Sequence, residues 1–114
     1  MNARVPSQVL QPELALQRVS QAWDSDIVRQ LTDYIAIPAK SPTFAADWAE
    51  LGLLDTVVRN AATWVESQKV EGLTLEIVRL EGRTPVLFFE IAATQSHATD
   101  TVLMYGHLDK QPEF

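Results

Sequence analysis

The stretch Thr101-Val-Leu-Met-Tyr-Gly-His-Leu-Asp-Lys-Gln-Pro112 decides how the rest of the chain is read. It is apolar from Val102 to Tyr105 and ends in Gly106. His107 and Asp109 follow with Leu108 between them, and Pro112 then interrupts regular structure. A continuous apolar run is the pattern of a strand covered on both faces. Open α/β sheets place ligands at the carboxyl ends of such strands. The expectation is a buried third strand over residues 101–106 that delivers an imidazole and a carboxylate to a crevice. In extended backbone, side chains at i and i+2 point the same way. A metal-bound histidine uses one ring nitrogen for the metal and offers the other to a carboxylate. The spacing of His107 and Asp109 suits a metal-bound histidine with a nearby carboxylate. The His-x-Asp spacing is common by itself, and a loop histidine beside a solvated aspartate also fits it. The flanking strand pattern gives the pair its weight.

Upstream of this stretch the period is two. Leu73, Leu75 and Ile77 alternate with Thr74 and Glu76, which predicts a strand with one dry face. Glu81-Gly82-Arg83-Thr84 has the length of a hairpin turn. Val86, Leu87, Phe88 and Phe89 then form a second continuous apolar run, expected to be covered on both faces. Further upstream the period is helical. Leu54, Val57, Val58, Ala61 and Val65 make one stripe, with Asp55 in a favourable first turn. Gly72 is the expected stop of that helix. Residues 47–51 suit a short helical turn, and Gly52 weakens a longer one. Ile27, Val28, Leu31, Tyr34 and Ile35 form an earlier stripe, which Pro38 ends through its effect on Ile37. Pro12-Glu13 suits a first helical turn. Asp24-Ser25-Asp26 either caps a new helix or lies on the wet face of a continuous one. The fold class is α/β: two or three helices, a β-hairpin and a buried third strand.

Composition sets the outer limits. A chain of 114 residues suffices for one domain and not for two. With 46% apolar and 21% charged residues it is ordinary globular material. A formal charge of −6 has the wrong sign for phosphate backbones, so nucleic acid and anionic membrane surfaces are set aside as partners. The absence of cysteine excludes disulfides and thiolate chemistry. No stretch approaches the ~20 apolar residues of a membrane span. The first twenty residues, with Arg4, Glu13 and Arg18, lack the apolar centre of a secretory signal. These absences predict a cytoplasmic location.

The segment Tyr105-Gly-His-Leu-Asp-Lys-Gln-Pro112 resembles the first metal-binding motif of the M20 family of metallopeptidases, nearest to the dipeptidase and carboxypeptidase branch. Ile37-Pro-Ala-Lys-Ser-Pro-Thr-Phe44, followed by Asp47-Trp48 and a helix, is similar to that family's N-terminal loop. The order of helix, Ile-Pro loop, helix, hairpin, apolar strand and His-x-Asp agrees as well. The resemblance covers residues 23–114.

It implies a catalytic domain with a central mixed sheet, a smaller inserted domain and a site for two Zn2+ ions. In that reading His107 is a metal ligand, and Asp109 is the catalytic carboxylate that orients it. Other divalent ions suit the same donors. Substrates would be short peptides or N-acyl amino acids, their amide bonds hydrolysed by metal-activated water. The inserted domain would carry the contacts of a homodimer. The family's later elements are a bridging Asp, a Glu-Glu pair, a further acidic ligand and a late His. None is found here: Glu-Glu does not occur, and the other histidine, His97, falls in a polar loop. Catalytic zinc needs three protein ligands and an open position. The expectation is thus the N-terminal fragment of a zinc-dependent dipeptidase or carboxypeptidase, inactive by itself. Residues 1–11 would be a flexible arm and 12–114 the N-terminal portion of the catalytic domain.

Two alternatives stand beside it. One is an M20-like amidohydrolase or deacylase. The other is a non-catalytic α/β module that binds a partner through an open sheet edge. Lys40, Ser41 and Lys110 lie in the two family-like loops, Lys40 and Ser41 read as solvated. Trp23, Trp48 and Trp64 are read as packing residues.

Overall fold

The computed structural model describes residues 9–113. Of the expected N-terminal arm, residues 1–8 lie outside the described residues. Helices come first and an antiparallel pair of strands follows, a mixed α/β arrangement in agreement with the sequence. The chain divides into two compact units between Ala36 and Ile37.

The first unit is one helical run. Helix α1 (Pro12–Ala22) starts with Pro12 in its first turn and Glu13 beside it. Both suit a helix N-terminus, where the missing proline N–H costs nothing and the dipole favours an acid. A π-helical segment, Trp23–Ile27, leads directly into α2 (Val28–Ala36). Asp24-Ser25-Asp26 therefore begins no new helix. Its Ser25 hydroxyl donates to the Gln21 carbonyl at 2.7 Å. Such a bond to a carbonyl four residues back competes with the helical ladder, and the turn widens there. None of the three segments contains a buried residue, and Leu16, Val19, Leu31 and Ile35 remain exposed.

The second unit opens with Ile37 and Pro38. Two tight three-residue turns follow, the Ala39 amide donating to the Ile37 carbonyl at 2.8 Å and the Lys40 amide to that of Pro38 at 2.9 Å. Helix α3 (Trp48–Leu51) ends at Gly52, whose φ of 66° is left-handed. Glycine adopts that conformation without the penalty a Cβ would bring. The same residue starts α4 (Leu53–Ser67), and its carbonyl accepts from the Thr56 amide at 3.0 Å. The helix ends at Ser67, earlier than Gly72 suggests, and Lys69 takes a positive φ of 53° just beyond it. Gly72, at φ 77°, instead opens the hairpin. Its carbonyl accepts from the Ala92 amide at 3.1 Å, and a Cβ there would stand 3.5 Å from that of Ala92.

Strands β1 (Leu73–Val78) and β2 (Val86–Ile91) pair antiparallel, Leu73 facing Ile91 and Val78 facing Val86. This register puts Leu73, Leu75 and Ile77 on one face with Leu87, Phe89 and Ile91. Helix α4 lies against both strands. The core contains its Leu54, Val57, Val58 and Ala62, together with Ala39. Asp55 ties the helix to the end of β1, accepting from Arg79 Nε at 3.0 Å and pairing with Arg59 at 3.0 Å.

Two sequence expectations need correction. Strand β2 is not covered on both faces, since Val86, Phe88, Phe89 and Ile91 are all about half exposed. Its apolar run exceeds what one helix and one strand can shield. The expected third strand does not form either. Residues 101–106 carry no strand, and side chains 102–105 are 86–92% exposed. A strand exists only through a neighbour's hydrogen bonds, and none of the described residues pairs with this run.

Candidate functional site

The backbone bond nearest to the His-x-Asp segment lies just after it. Lys110 forms an isolated parallel bridge with Lys40. The Lys110 amide donates to the Ala39 carbonyl at 2.9 Å, and the Ser41 amide donates to the Lys110 carbonyl at 2.9 Å. The Lys110 ammonium also donates to the Ile37 carbonyl, at 2.5 Å. Ala39, enclosed between these bonds, is 1% exposed. The Ile-Pro loop and the end of the His-x-Asp segment are thus held together within one unit by bonds between residues 69 to 73 apart in sequence. Further along, Lys40 Nζ stands 3.5 Å from Glu113 Oε2.

His107 and Asp109 meet as their spacing suggests. His107 Nδ1 is 3.0 Å from Asp109 Oδ1 and 3.0 Å from the Asp109 backbone oxygen. Both oxygens are acceptors, and a proton on Nδ1 would satisfy them. The His107 side chain is 70% exposed and that of Asp109 37%. An imidazole whose second nitrogen is fixed by a carboxylate is the arrangement that orients a metal-binding histidine. The pair sits on a half-exposed segment and not at the tip of a buried strand.

Electrostatics mark the two ends of the bridge. Partial burial pushes the Lys110 ammonium below the usual lysine range. The Glu113 carboxyl is held below its usual value by its own backbone N–H and by the Lys40 charge.

Zinc suits the donors in part. His107 offers a nitrogen of the right kind, and Asp109 the oxygen that orients it. Among the described residues, no three His, Cys, Asp or Glu side chains come together as a metal would require. His107 and Asp109 bring one ring nitrogen and one carboxylate together, and no further donor side chain of that kind joins them among the described residues. His97 lies in an exposed turn region. Lys40 and Ser41 are partly buried and bonded where the sequence read them as solvated, and Lys110 is tied into the same loop. A proline-ended loop and a lysine directly after the motif are the only traces of this junction in the sequence. Of the tryptophans, Trp48 and Trp64 are partly covered and Trp23 is about half exposed. No helix is long and apolar enough to cross a membrane among the described residues. The chain matches no model of a known protein family and no curated protein.

Proposed function

We propose that this chain is the N-terminal portion of a zinc-dependent M20-type dipeptidase or carboxypeptidase, with His107 as a metal ligand and Asp109 as the carboxylate that orients it. The observation that supports this most is the 3.0 Å contact of His107 Nδ1 with Asp109 Oδ1, on a histidine whose side chain is 70% exposed. The bridge between the Ile-Pro loop and Lys110 adds to it, because both stretches that resemble the family meet there. The exposed run at residues 102–105 supports the same reading. A strand this apolar calls for neighbours on both sides, which a larger sheet would bring.

In this proposal zinc would polarise an amide carbonyl and activate water. The chain's own contribution is narrower. Asp109 keeps the proton on Nδ1, so that His107 presents one lone pair in one direction. Substrates are short peptides or N-acyl amino acids, and the protein works in the cytoplasm, as a homodimer where the inserted domain is present.

The test uses the protein encoded by the complete reading frame. His107→Ala is expected to lower its zinc content. Asp109→Ala is expected to lower dipeptide turnover by more than it lowers zinc content. Full activity in both variants would overturn the assignment. The 114-residue chain alone is expected to bind zinc weakly and to leave dipeptides intact.

A second reading is favoured by the half-exposed β2, whose apolar side chains could receive a partner's strand. A non-catalytic module of that kind would bind its partner unchanged after His107→Ala.

A further inference from the structure

We propose that Lys110 is a positioning residue: it clamps the His107-Leu108-Asp109 segment to the Ile37–Ser41 loop and thereby holds the His107 ring in its Nδ1–H form. The inference builds on the metal reading of His107, although its own observable does not require a metal.

The chain before the motif is open. Residues 101–106 are exposed and pair with no strand among the described residues. The bonds that tie the motif to the loop lie on its other side. There a single residue makes three bonds to one loop: its amide to Ala39, its carbonyl from Ser41, and its ammonium to Ile37. The two backbone bonds fix the direction in which the chain leaves Asp109. The ammonium bond fixes the turn from the far side, across the covered Ala39. Asp109 is the next residue, and it contributes both oxygens that face His107 Nδ1. One of these is its own backbone oxygen, which belongs to the peptide unit of the Lys110 amide. When that amide donates to Ala39, the peptide plane is set, and with it the direction in which the carbonyl points toward the imidazole. Lysine usually keeps its ammonium in water, so placing it on a backbone carbonyl at partial burial uses it as a peg.

The experiment uses the 15N-labelled 114-residue chain as the wild type and as Lys110→Met, Lys110→Gln and Lys110→Arg. It is read at about pH 8.5, two units above the usual histidine value of about 6.5. Two quantities are followed: the His107 tautomer, from two-bond ring nitrogen–proton correlations, and amide exchange at Ser41 and Lys110. The wild type is expected to show the Nδ1–H form. Lys110→Met should give a mixture of tautomers and exchange at both amides about tenfold faster, the size expected when a charge-assisted hydrogen bond is lost. Lys110→Arg, which keeps a cationic donor, should retain most of the wild-type behaviour. Should Lys110→Met fail to fold, Lys110→Gln, with a shorter neutral donor, should give the same loss in smaller measure. A His107 tautomer and amide exchange unchanged in a folded Met or Gln variant would overturn the clamp. A merely structural lysine would change amide exchange and leave the tautomer alone, which also overturns it. The metal reading fails separately, on retained zinc in His107→Ala of the complete protein.

Discussion

Residues 102–105 are apolar without exception, whereas helix α4 mixes apolar side chains with Asp55, Arg59, Asn60 and Glu66. Yet it is the helix that is buried: Val57 is 1% exposed and Leu103 89%. The difference lies in how each stretch asks to be covered. Helix α4 needs shelter along one stripe, and one sheet face supplies it, because β1 and β2 align their apolar residues on a common side. Residues 102–105 would need a hydrogen-bonded neighbour and cover on both faces. An amphipathic element can be satisfied by one partner, and a uniformly apolar strand cannot. Apolar pattern measures a demand, and burial depends on who is present to meet it.

The largest expected effect breaks that contrast directly. Val57→Asp places a charge in a core whose buried side chains, among the described residues, are all apolar. It is expected to destabilise the second unit by about 3 kcal/mol or more. Leu103→Asp, at a far more apolar stretch, should change stability by no more than about 0.5 kcal/mol. Urea titrations followed by circular dichroism measure both. A large loss from Leu103→Asp would mean that residues 102–105 are packed in solution and that the contrast is false.

The next effect sharpens how α4 is seated. Asp55 accepts from Arg79 at the end of β1 and pairs with Arg59 one helical turn on. It also meets the positive end of the helix dipole. All three groups are partly open to water, so screening limits the gain. Asp55→Ala should cost about 1 kcal/mol, less than Val57→Asp, and the cost should shrink in high salt. A salt-independent loss would point to packing and not to charge.

These magnitudes explain what could be read from the chain alone. The stripe of α4, the alternation of β1 and the turn at Gly82 are local patterns, and local patterns were enough to give helices followed by a hairpin. The phase of α4 was nearly right, with Ala62 and not Ala61 on the covered side. Gly72 misled because Lys69 adopts a left-handed conformation without being glycine, and the helix ends before it. The contact between His107 and Asp109 was legible for the same local reason, since a single residue separates the pair. The bridge from Lys40 to Lys110 was not. It joins two loops by backbone bonds, and backbone bonds carry no sequence signal of their own.

The smallest effect concerns the outer end of that bridge. Lys40 and Glu113 stand 3.5 Å apart, and Glu113 is fully exposed, so the pair is weak and its influence is read best through pH. The Glu113 carboxyl is held below its ordinary value of 4.5 in the folded chain, by its own backbone N–H and then by Lys40. A depressed folded pKa means that the ionised form favours the folded state. Its contribution is complete above pH 4.5 and is lost as pH falls through the lower folded value. Lys110 has the same sign in a different range, since burial lowers its pKa and the cost of keeping it charged is relieved as pH rises through the lysine range. Between the two, the bridge should be insensitive to pH through neutrality and should loosen first on the acid side. Amide exchange at Ser41, corrected for the intrinsic pH dependence of exchange, should show a small acid-side loss of protection that Glu113→Gln removes. An acid-side loss that persists in Glu113→Gln would assign it to another carboxylate and leave the bridge resting on the Lys110 bonds alone.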